Sequence, residues 1–390
     1  MSRTSDLSAA AAGSKAAWSS PVAVNQAGEA ATTGSDKEWI WVDDAASSPH
    51  FGTVYVCFTR ALPPYTNPMS IVCSRSADGG VSFSTPIVVN ETNAAIQFRV
   101  GAQIATDSNG IVYVVYAEVR SGQYQQVMTH SLNGGLSYDT PRLVSNVTPI
   151  GQADTLLGTS SFFDKALDGR AGSRVFPMPS LTIANGAPTG MDAPNTIAVG
   201  CSDGRAGANQ EDSLAVFSSD GANTFTLPAV VSDTADRAMM TAVALSPDGQ
   251  DFYVAYNAVT AAFQTTTTNP RPTLGVVRHA GMVGGTPAGR ATLSRGSSGD
   301  ARASARNNST VSGFLGDYIG IQATNTGATA VHVDARRAVA CPAMNTYRQK
   351  RINGQNASAP SPNTACAAGF GNTDIYASSV LAPFTFGLAR

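Results

Sequence analysis

The feature that most constrains this chain is its internal repetition. Set one beneath another, five stretches share an order: a short apolar strand, a Gly-containing turn, a strand of the Tyr-Val-x-Tyr kind, a loop, a strand ending in Ser, a turn closed by an aromatic, and a Pro before a Val-rich strand. The first runs through WIWVDD, GTVYVCFTR and SIVCSRSADGGVSFSTPIVV; the second through GAQIATDSNGIVYVVYAEVR and QVMTHSLNGGLSYDTPRLVS; the third through MPSLTIANG, NTIAVGCSDGR and SLAVFSSDGANTFTLPAVVS. The fourth, TAVALSPDGQDFYVAYNAV and TLGVVRHAG, ends degenerately, and the fifth, GDYIGIQATNTGATAVHVDARR and TDIYASSV, lacks a clear fourth strand. A four-stranded unit recurring every ~40 to 50 residues cannot bury both faces alone, so the units must stack around an axis. The fold class expected is therefore all-β, a β-propeller of four-stranded antiparallel blades. The N-terminal SPVAVNQ resembles the Val-rich fourth strands, and pairing it with the last repeat would close the ring and remove an open edge. The interruptions at 147–174 and 280–314 read either as insertions or as a sixth blade.

A length of 390 residues would allow two or three average domains, but repeat folds use such lengths as one unit. Residues 18–390 are expected to form one domain, with 1–17 a disordered leader or a cut point. Only 13% of residues are charged and 37 are Gly, so helix formers are scarce beside turn and strand formers. A net charge of −2 gives no long-range field for nucleic acid or an anionic membrane, and no apolar run is long enough to span a bilayer. Asn90, Asn146, Asn308 and Asn356 each begin an Asn-x-Ser/Thr glycosylation pattern. Five cysteines leave one over: Cys57 and Cys73 sit on strands of one hairpin, Cys341 and Cys366 bracket a polar loop, and Cys201 is the odd one. Two bridges, or alternatively five buried thiols, satisfy this pattern. Bridges and glycosylation would together place the chain outside the cell.

SADGGVSF at Ser76–Phe83, SLNGGLSY at Ser131–Tyr138 and SSDGANTF at Ser218–Phe225 share Ser, x, Asp or Asn, Gly, and an aromatic seven residues after the Ser. Asp or Asn bonds its own turn backbone, Gly accepts a positive φ, Ser or Thr bonds locally, and the aromatic plugs the blade packing. The motif closely resembles the Asp box of the sialidase superfamily, and FLGDYIGIQAT at Phe314–Thr324 with VHVDARR and NTDIY resembles the last repeat of bacterial sialidase-like proteins. The resemblance covers the chain from about Trp18 onward. It implies that Asp78, Asn133 and Asp220 are structural and lie away from any substrate. It also implies an Arg triad for a carboxylate, a Tyr nucleophile activated by Glu, and an Asp acid/base, with one Arg in a Phe/Tyr-Arg-Ile-Pro motif. The nearest match, Phe98-Arg99-Val100-Gly101, lacks the Pro and follows the first box.

In a propeller the loops leading into innermost strands and those joining second to third strands share one face, the default binding surface. Trp39, Arg99, Arg174, Arg237, Asp317 and Tyr318 fall in the first group; Arg60, Tyr65, Glu118 and Arg120 fall in the second. Guanidinium forks bind carboxylates, aromatic faces stack on sugar rings, and a carboxylate can move a proton. The catalytic candidates are Asp317, Tyr318 and Glu118, and the substrate-binding candidates are Arg99, Arg174, Arg60, Arg120, Arg237 and Trp39. Asp203-Gly204-Arg205 and Asp334-Ala335-Arg336 recur at equivalent places, which favours ion pairs bracing the loops. His50, His130, His279 and His332 show no metal-ligand spacing, and His332 alternates with Val331 and Val333 as a packed strand residue. No metal ligand and no cofactor are expected, with a structural calcium ion between loop carboxylates left open. The expected partner of this monomer is a glycan or polysaccharide. The reading is a secreted, sialidase-like glycoside hydrolase acting on a terminal acidic sugar, with a polysaccharide lyase for uronic acids and a non-catalytic glycan- or protein-binding propeller as alternatives.

Overall fold

The computed structural model describes residues 1–25, 34–61, 69–90, 95–153, 165–175, 178–296, 299–304 and 312–383, the side chains of Ala153, Ala171 and Arg174 excepted. Tyr65, Asn308 and Gln26, singled out in the sequence, lie outside these. The chain divides into two compact units, Met1–Val144 with Asn185–Asn195, and Ser145–Ala184 with Thr196–Arg390. Its fold class is that of a five-bladed β-propeller, one blade to each sequence repeat.

The first unit holds two blades. One has the order β1 (Gly34–Val42), β2 (Val54–Ala61), β3 (Ser70–Ser76), β4 (Ile87–Val88); the other β5 (Ile96–Thr106), β6 (Val112–Arg120), β7 (Gln123–Ser131), β8 (Arg142–Asn146). β2 and β6 are buried along nearly their whole length, which is why they read as unbroken runs of Val, Tyr, Phe and Ala. Tyr55, Cys57, Ile71, Ile104, Val112, Val114 and Tyr116 form the core between the two sheets, with Trp39 and Trp41 packed at its margin. Residues 1–17, expected as a leader, include α1 (Leu7–Ala11), whose first turn is capped by Asp6 accepting from Ala9 N at 2.8 Å. No strand pairing places Ser20–Asn25 on the last blade. Val22 N donates instead to Met1 O at 2.7 Å, and Val24 packs on Val56, Phe58 and Val72 of the first blade.

The second unit holds the other three blades: β12 (Ser180–Ile183), β13 (Ile197–Asp203), β14 (Asp212–Ser218), β15 (Ala229–Val230); then β16 (Arg237–Leu245), β17 (Asp251–Val259), β18 (Pro272–Val283), β19 (Thr286–Arg295), with β20 (Gly299–Asp300) also on β18; then β21 (Gly320–Thr324), β22 (Gly327–Asp334), β23 (Asp374–Leu381). The interruption at 147–174 carries no sixth blade among the described residues, only a small sheet of β9 (Gln152–Ala153), β10 (Lys165–Leu167) and β11 (Ser173–Val175). The degenerate end of the fourth repeat is a long β18–β19 hairpin, turned at Gly284 and Gly285 with φ of +59° and +77°. Between β22 and β23 the chain forms α2 (Pro342–Ile352) and α3 (Pro362–Ala365), tied by the Cys341–Cys366 bridge. Cys57 and Cys73, directly opposed on β2 and β3, form the second bridge, and Cys201 is a buried thiol.

The three Ser-x-Asp/Asn turns join third to fourth strands, as expected, and share one cage. Ser76, Ser131 and Ser218 donate to Asp78, Asn133 and Asp220 at 2.6, 2.8 and 2.8 Å, and accept from the amides of Gly80, Gly135 and Ala222. The acceptor oxygen then gathers the amides of Ser82, Ser137 and Thr224, each at 3.0 Å. Gly80, Gly135 and Ala222 all have positive φ, so the cage demands left-handed backbone there even when the residue is Ala. The Ser and Thr hydrogen bonds hold both free carboxyls below the usual carboxylate range, Asp220 at about 2.

Candidate functional site

In the first unit, antiparallel register sets Arg99 on β5 opposite Glu118 on β6, and the two side chains are almost wholly buried with Nε and Oε2 3.6 Å apart. Arg120, two residues on and so on the same strand face, donates from Nε to Glu118 Oε1 at 3.0 Å and is about a third exposed. Arg99 Nη1 also donates to Met69 O at 3.3 Å. Glu118 is thus wedged between two guanidinium groups, the compensation that burying a carboxylate requires. Arg60 sits half-buried at the end of β2. A bulge in β1 between Asp36 and Trp39 gives Lys37 a φ of +59° and buries it. Beyond it, Trp39 lines a cavity of about 490 Å³ with Glu38, Ser35, Asn25 and Phe58.

In the second unit, Arg237 opens β16 almost fully buried and is engaged on several sides. Nε and Nη2 fork onto Glu211 at 2.8 and 2.7 Å, and Nη2 also donates to Asp168 Oδ1 at 2.7 Å. Burial alone disfavours this charge, but the two carboxylates outweigh it and raise the pKa further. Asp168 takes a second guanidinium, Arg271 Nε at 3.2 Å, while Arg271 Nη1 and Nη2 donate to the carbonyls of Asn269, Gln264 and Thr266. Asp236 accepts from Tyr256 Oη at 2.7 Å and from both ends of the Arg295 fork at 2.8 and 2.5 Å.

A local pattern repeats around these groups, a carboxylate at a strand end gripping the Arg two residues later. Asp203 binds Arg205 through Nε and Nη2 at 2.8 and 2.9 Å, and Asp334 binds Arg336 at 2.7 Å, with the Tyr376 ring 3.7 Å from that guanidinium. Asp300 binds Arg302, and Glu118 with Arg120 repeats the spacing in the first unit. Asp168-Gly169-Arg170 has the same spacing but breaks the pairing: Arg170 donates to Arg351 O at 2.8 Å, leaving Asp168 to Arg237 and Arg271.

Asp317 and Tyr318 precede β21, anchored by Leu315 in a core with Met239 and Ala335. Asp317 is half-buried and Tyr318 is 43% exposed. Arg174 lies on β11 with its backbone opposite Ala166; its side chain lies outside the described residues. The structure therefore brings Arg99, Glu118 and Arg120 together in one unit, and joins Arg237 to Asp168 and Glu211 in the other. Sequence reasoning did not nominate Asp168 or Arg271, which meet across 103 positions of chain. Asp212, which the sequence placed on the candidate face beside the recurring Asp203–Arg205 ion pair, stands opposite Asp203 in the β13–β14 register, and its pKa is raised by burial, against a hydrogen bond from Ser232, and by Asp203 and Glu211. His332 is buried on β22, and burial lowers its pKa. Among the described residues no group of three or more His, Cys, Asp or Glu could hold a metal ion, and no helix is long and apolar enough to cross a membrane.

No family model and no curated protein matches the chain. Among solved structures it is similar to the Hadza microbial sialidase Hz136, at 12% identity over 77% of this chain and 50% of that one, with a TM-score of 0.44. It is also similar to a GH93 α-L-arabinofuranosidase of Fusarium graminearum, at 13% identity over 76% and 74% of the two chains (TM-score 0.43), and to a Penicillium chrysogenum α-L-arabinanase, at 14% identity over 76% and 74% (TM-score 0.42). The chain spans half the length of the sialidase.

Proposed function

We propose that this protein is a secreted carbohydrate-active propeller, a sialidase-like glycoside hydrolase that removes a terminal acidic sugar. The observation that carries the reading is the set of partly exposed guanidinium groups at strand ends of the second unit. Arg205, Arg295 and Arg336, between about a quarter and half exposed, are each held by a buried carboxylate, Asp203, Asp236 and Asp334. A fork fixed from behind keeps outward N–H groups oriented for an anionic sugar at little entropic cost. Asp317 is the group that takes a proton from water, and Tyr318, exposed beside it, orients the substrate. Arg237, with its fork on Glu211 and Asp168, braces the strand mouth. In the first unit Glu118 holds Arg99 and Arg120, and Trp39 offers an indole face for a sugar ring. Two disulfides agree with an oxidising compartment. The test is a mass-detected screen of 4-nitrophenyl and methyl glycosides of sialic, uronic and neutral sugars, with acidic polysaccharides. A new reducing end without unsaturation supports hydrolysis; an unsaturated uronate makes the protein a lyase, and retention without turnover makes it a binding module.

A further inference from the structure

The N-terminal residues fold back on themselves against the first Ser-x-Asp turn and leave a cavity there. Met1 and Val22 bond reciprocally: the terminal ammonium donates to Val22 O at 2.6 Å, and Val22 N donates to Met1 O at 2.7 Å. Ser19 N donates to Arg3 O at 2.8 Å, and Arg3 N donates to Ser19 Oγ at 3.1 Å. Between these ties lie α1 and a short turn of helix at Lys15–Ala17, after which Trp18 N donates to Lys15 O at 3.2 Å. The backbone thus sets Trp18 beside Arg3, and Arg3 Nη1 reaches Gly79 O of the Ser-x-Asp turn at 3.4 Å. Arg3, Thr4, Ser5, Trp18, Ser19 and Gly79 line a cavity of about 650 Å³. The turn lies at the Val42 end of β1, because Val42, Val54 and Ser76 are successive register partners, while Arg60 pairs with Ser70 at the other end. Ser70 to Ser76 spans roughly 20 Å at the rise of a strand, so the cavity is separate from Arg60 and from Arg99, which donates to Met69 O.

The walls select the ligand. Arg205, Arg295 and Arg336 are each gripped by a carboxylate, whereas Arg3 has no carboxylate partner among the described residues and none of the lining residues is acidic. A guanidinium without a counter-ion binds a carboxylate through a two-point fork. Trp18 is 47% exposed, so its indole offers a face on which a ring can stack. Ser5 and Ser19 add hydroxyls, which donate and accept equally well and match the hydroxyls of a sugar. An inorganic anion would use the guanidinium and leave the indole idle; a neutral sugar would do the reverse. We propose that this cavity is a second binding site for an acidic sugar, with Arg3 on the carboxylate and Trp18 against the ring. It rests on the reading above only for the class of sugar, and it binds without bond changes. A glycan held there is kept on the protein by a residue other than the one that is cleaved.

The test reads binding at Trp18 itself. The chain has 3 tryptophans, so ¹⁵N labelling gives three indole N–H signals, assigned by single Trp→Phe variants. Trp41, whose Nε1 donates to Thr106 Oγ1 at 2.9 Å, serves as an internal reference for the fold. The full chain is titrated with the methyl thioglycosides of sialic acid and of glucuronic acid, with their carboxyl methyl esters, and with benzoate. The Trp18 signal is expected to shift saturably with at least one of the two acids, and at least tenfold more weakly with its ester and with benzoate; which acid binds tells sialic from uronic sugars. Arg3→Ala is expected to raise that dissociation constant about 10- to 100-fold, the loss of a charged hydrogen bond, and Arg3→Lys to fall between. The Arg3 backbone makes the ties to Ser19, so both variants should leave the Trp41 signal in place. A Trp18 signal that ignores both acids, that responds equally to acid and ester or to benzoate, or that shifts as readily in Arg3→Ala overturns the site, and turnover of glycosides by the same protein would leave the hydrolase reading intact. A Trp18 site that binds in a protein cleaving no glycoside supports the site and overturns the hydrolase reading.

Discussion

Replacing Arg237 by Ala separates a bracing guanidinium from a substrate clamp. Arg237 is about 4% exposed and contacts two carboxylates, Glu211 through a two-point fork and Asp168 at 2.7 Å. Truncation leaves Glu211 buried without its counter-ion and Asp168 with Arg271 alone, at the longer distance of 3.2 Å. Removing one partner of such a group costs about 3–5 kcal/mol, because the charges left behind stay desolvated. For a cooperative unit of this size 1 kcal/mol shifts the melting temperature by about 2–4 °C, so a fall of roughly 10 °C is expected. Calorimetry and urea unfolding at pH 7 read it directly, and Asp168→Asn provides a second entry into the same network. A double variant, Arg237→Ala with Asp168→Asn, should cost less than the sum of the singles, since both disrupt one interaction. A melting temperature within about 2 °C of wild type, accompanied by weaker binding of an acidic sugar, would refute the bracing role.

Two further outcomes test other parts of the structure. A Cβ on Gly275 would sit 2.0 Å from His332 Nε2, so Gly275→Ala is expected to destabilise by about 1–3 kcal/mol through overpacking, and adding His332→Ala should recover much of that loss in urea titrations. Asp220 has its folded pKa lowered from 3.8 to about 2, so its contribution is present above pH ~4 and is lost as pH falls toward 2; the melting-temperature gap between wild type and Asp220→Ala should therefore narrow over that window, and a gap independent of pH would contradict the ionised cage.

The parts of this structure legible in the sequence are those fixed by short spacing. The Ser-x-Asp turn needs only residues within a few positions of one another, and the Asp-x-Arg grip needs two residues on the same face of one strand end, so both show as motifs. Cys57 and Cys73 were readable because one hairpin brings them opposite each other. Asp168 was not, because Asp-Gly-Arg there looks like its siblings while its partners come from β16 and the chain before β18. Closure of the ring by the N-terminal Val-rich segment is not shown: an apolar alternation fits any open sheet surface, and Val24 of its described part packs on the first blade.

Hydrolysis of a glycosidic bond to an acidic sugar is the activity proposed for this protein. Incubating the wild-type protein with the methyl and 4-nitrophenyl glycosides of sialic and uronic acids in ¹⁸O-labelled water, and weighing the products, tests it most directly. Hydrolysis gives a free acidic sugar carrying one ¹⁸O at its anomeric carbon and an unlabelled alcohol. An unsaturated sugar without label, or recovery of every glycoside intact, would contradict it.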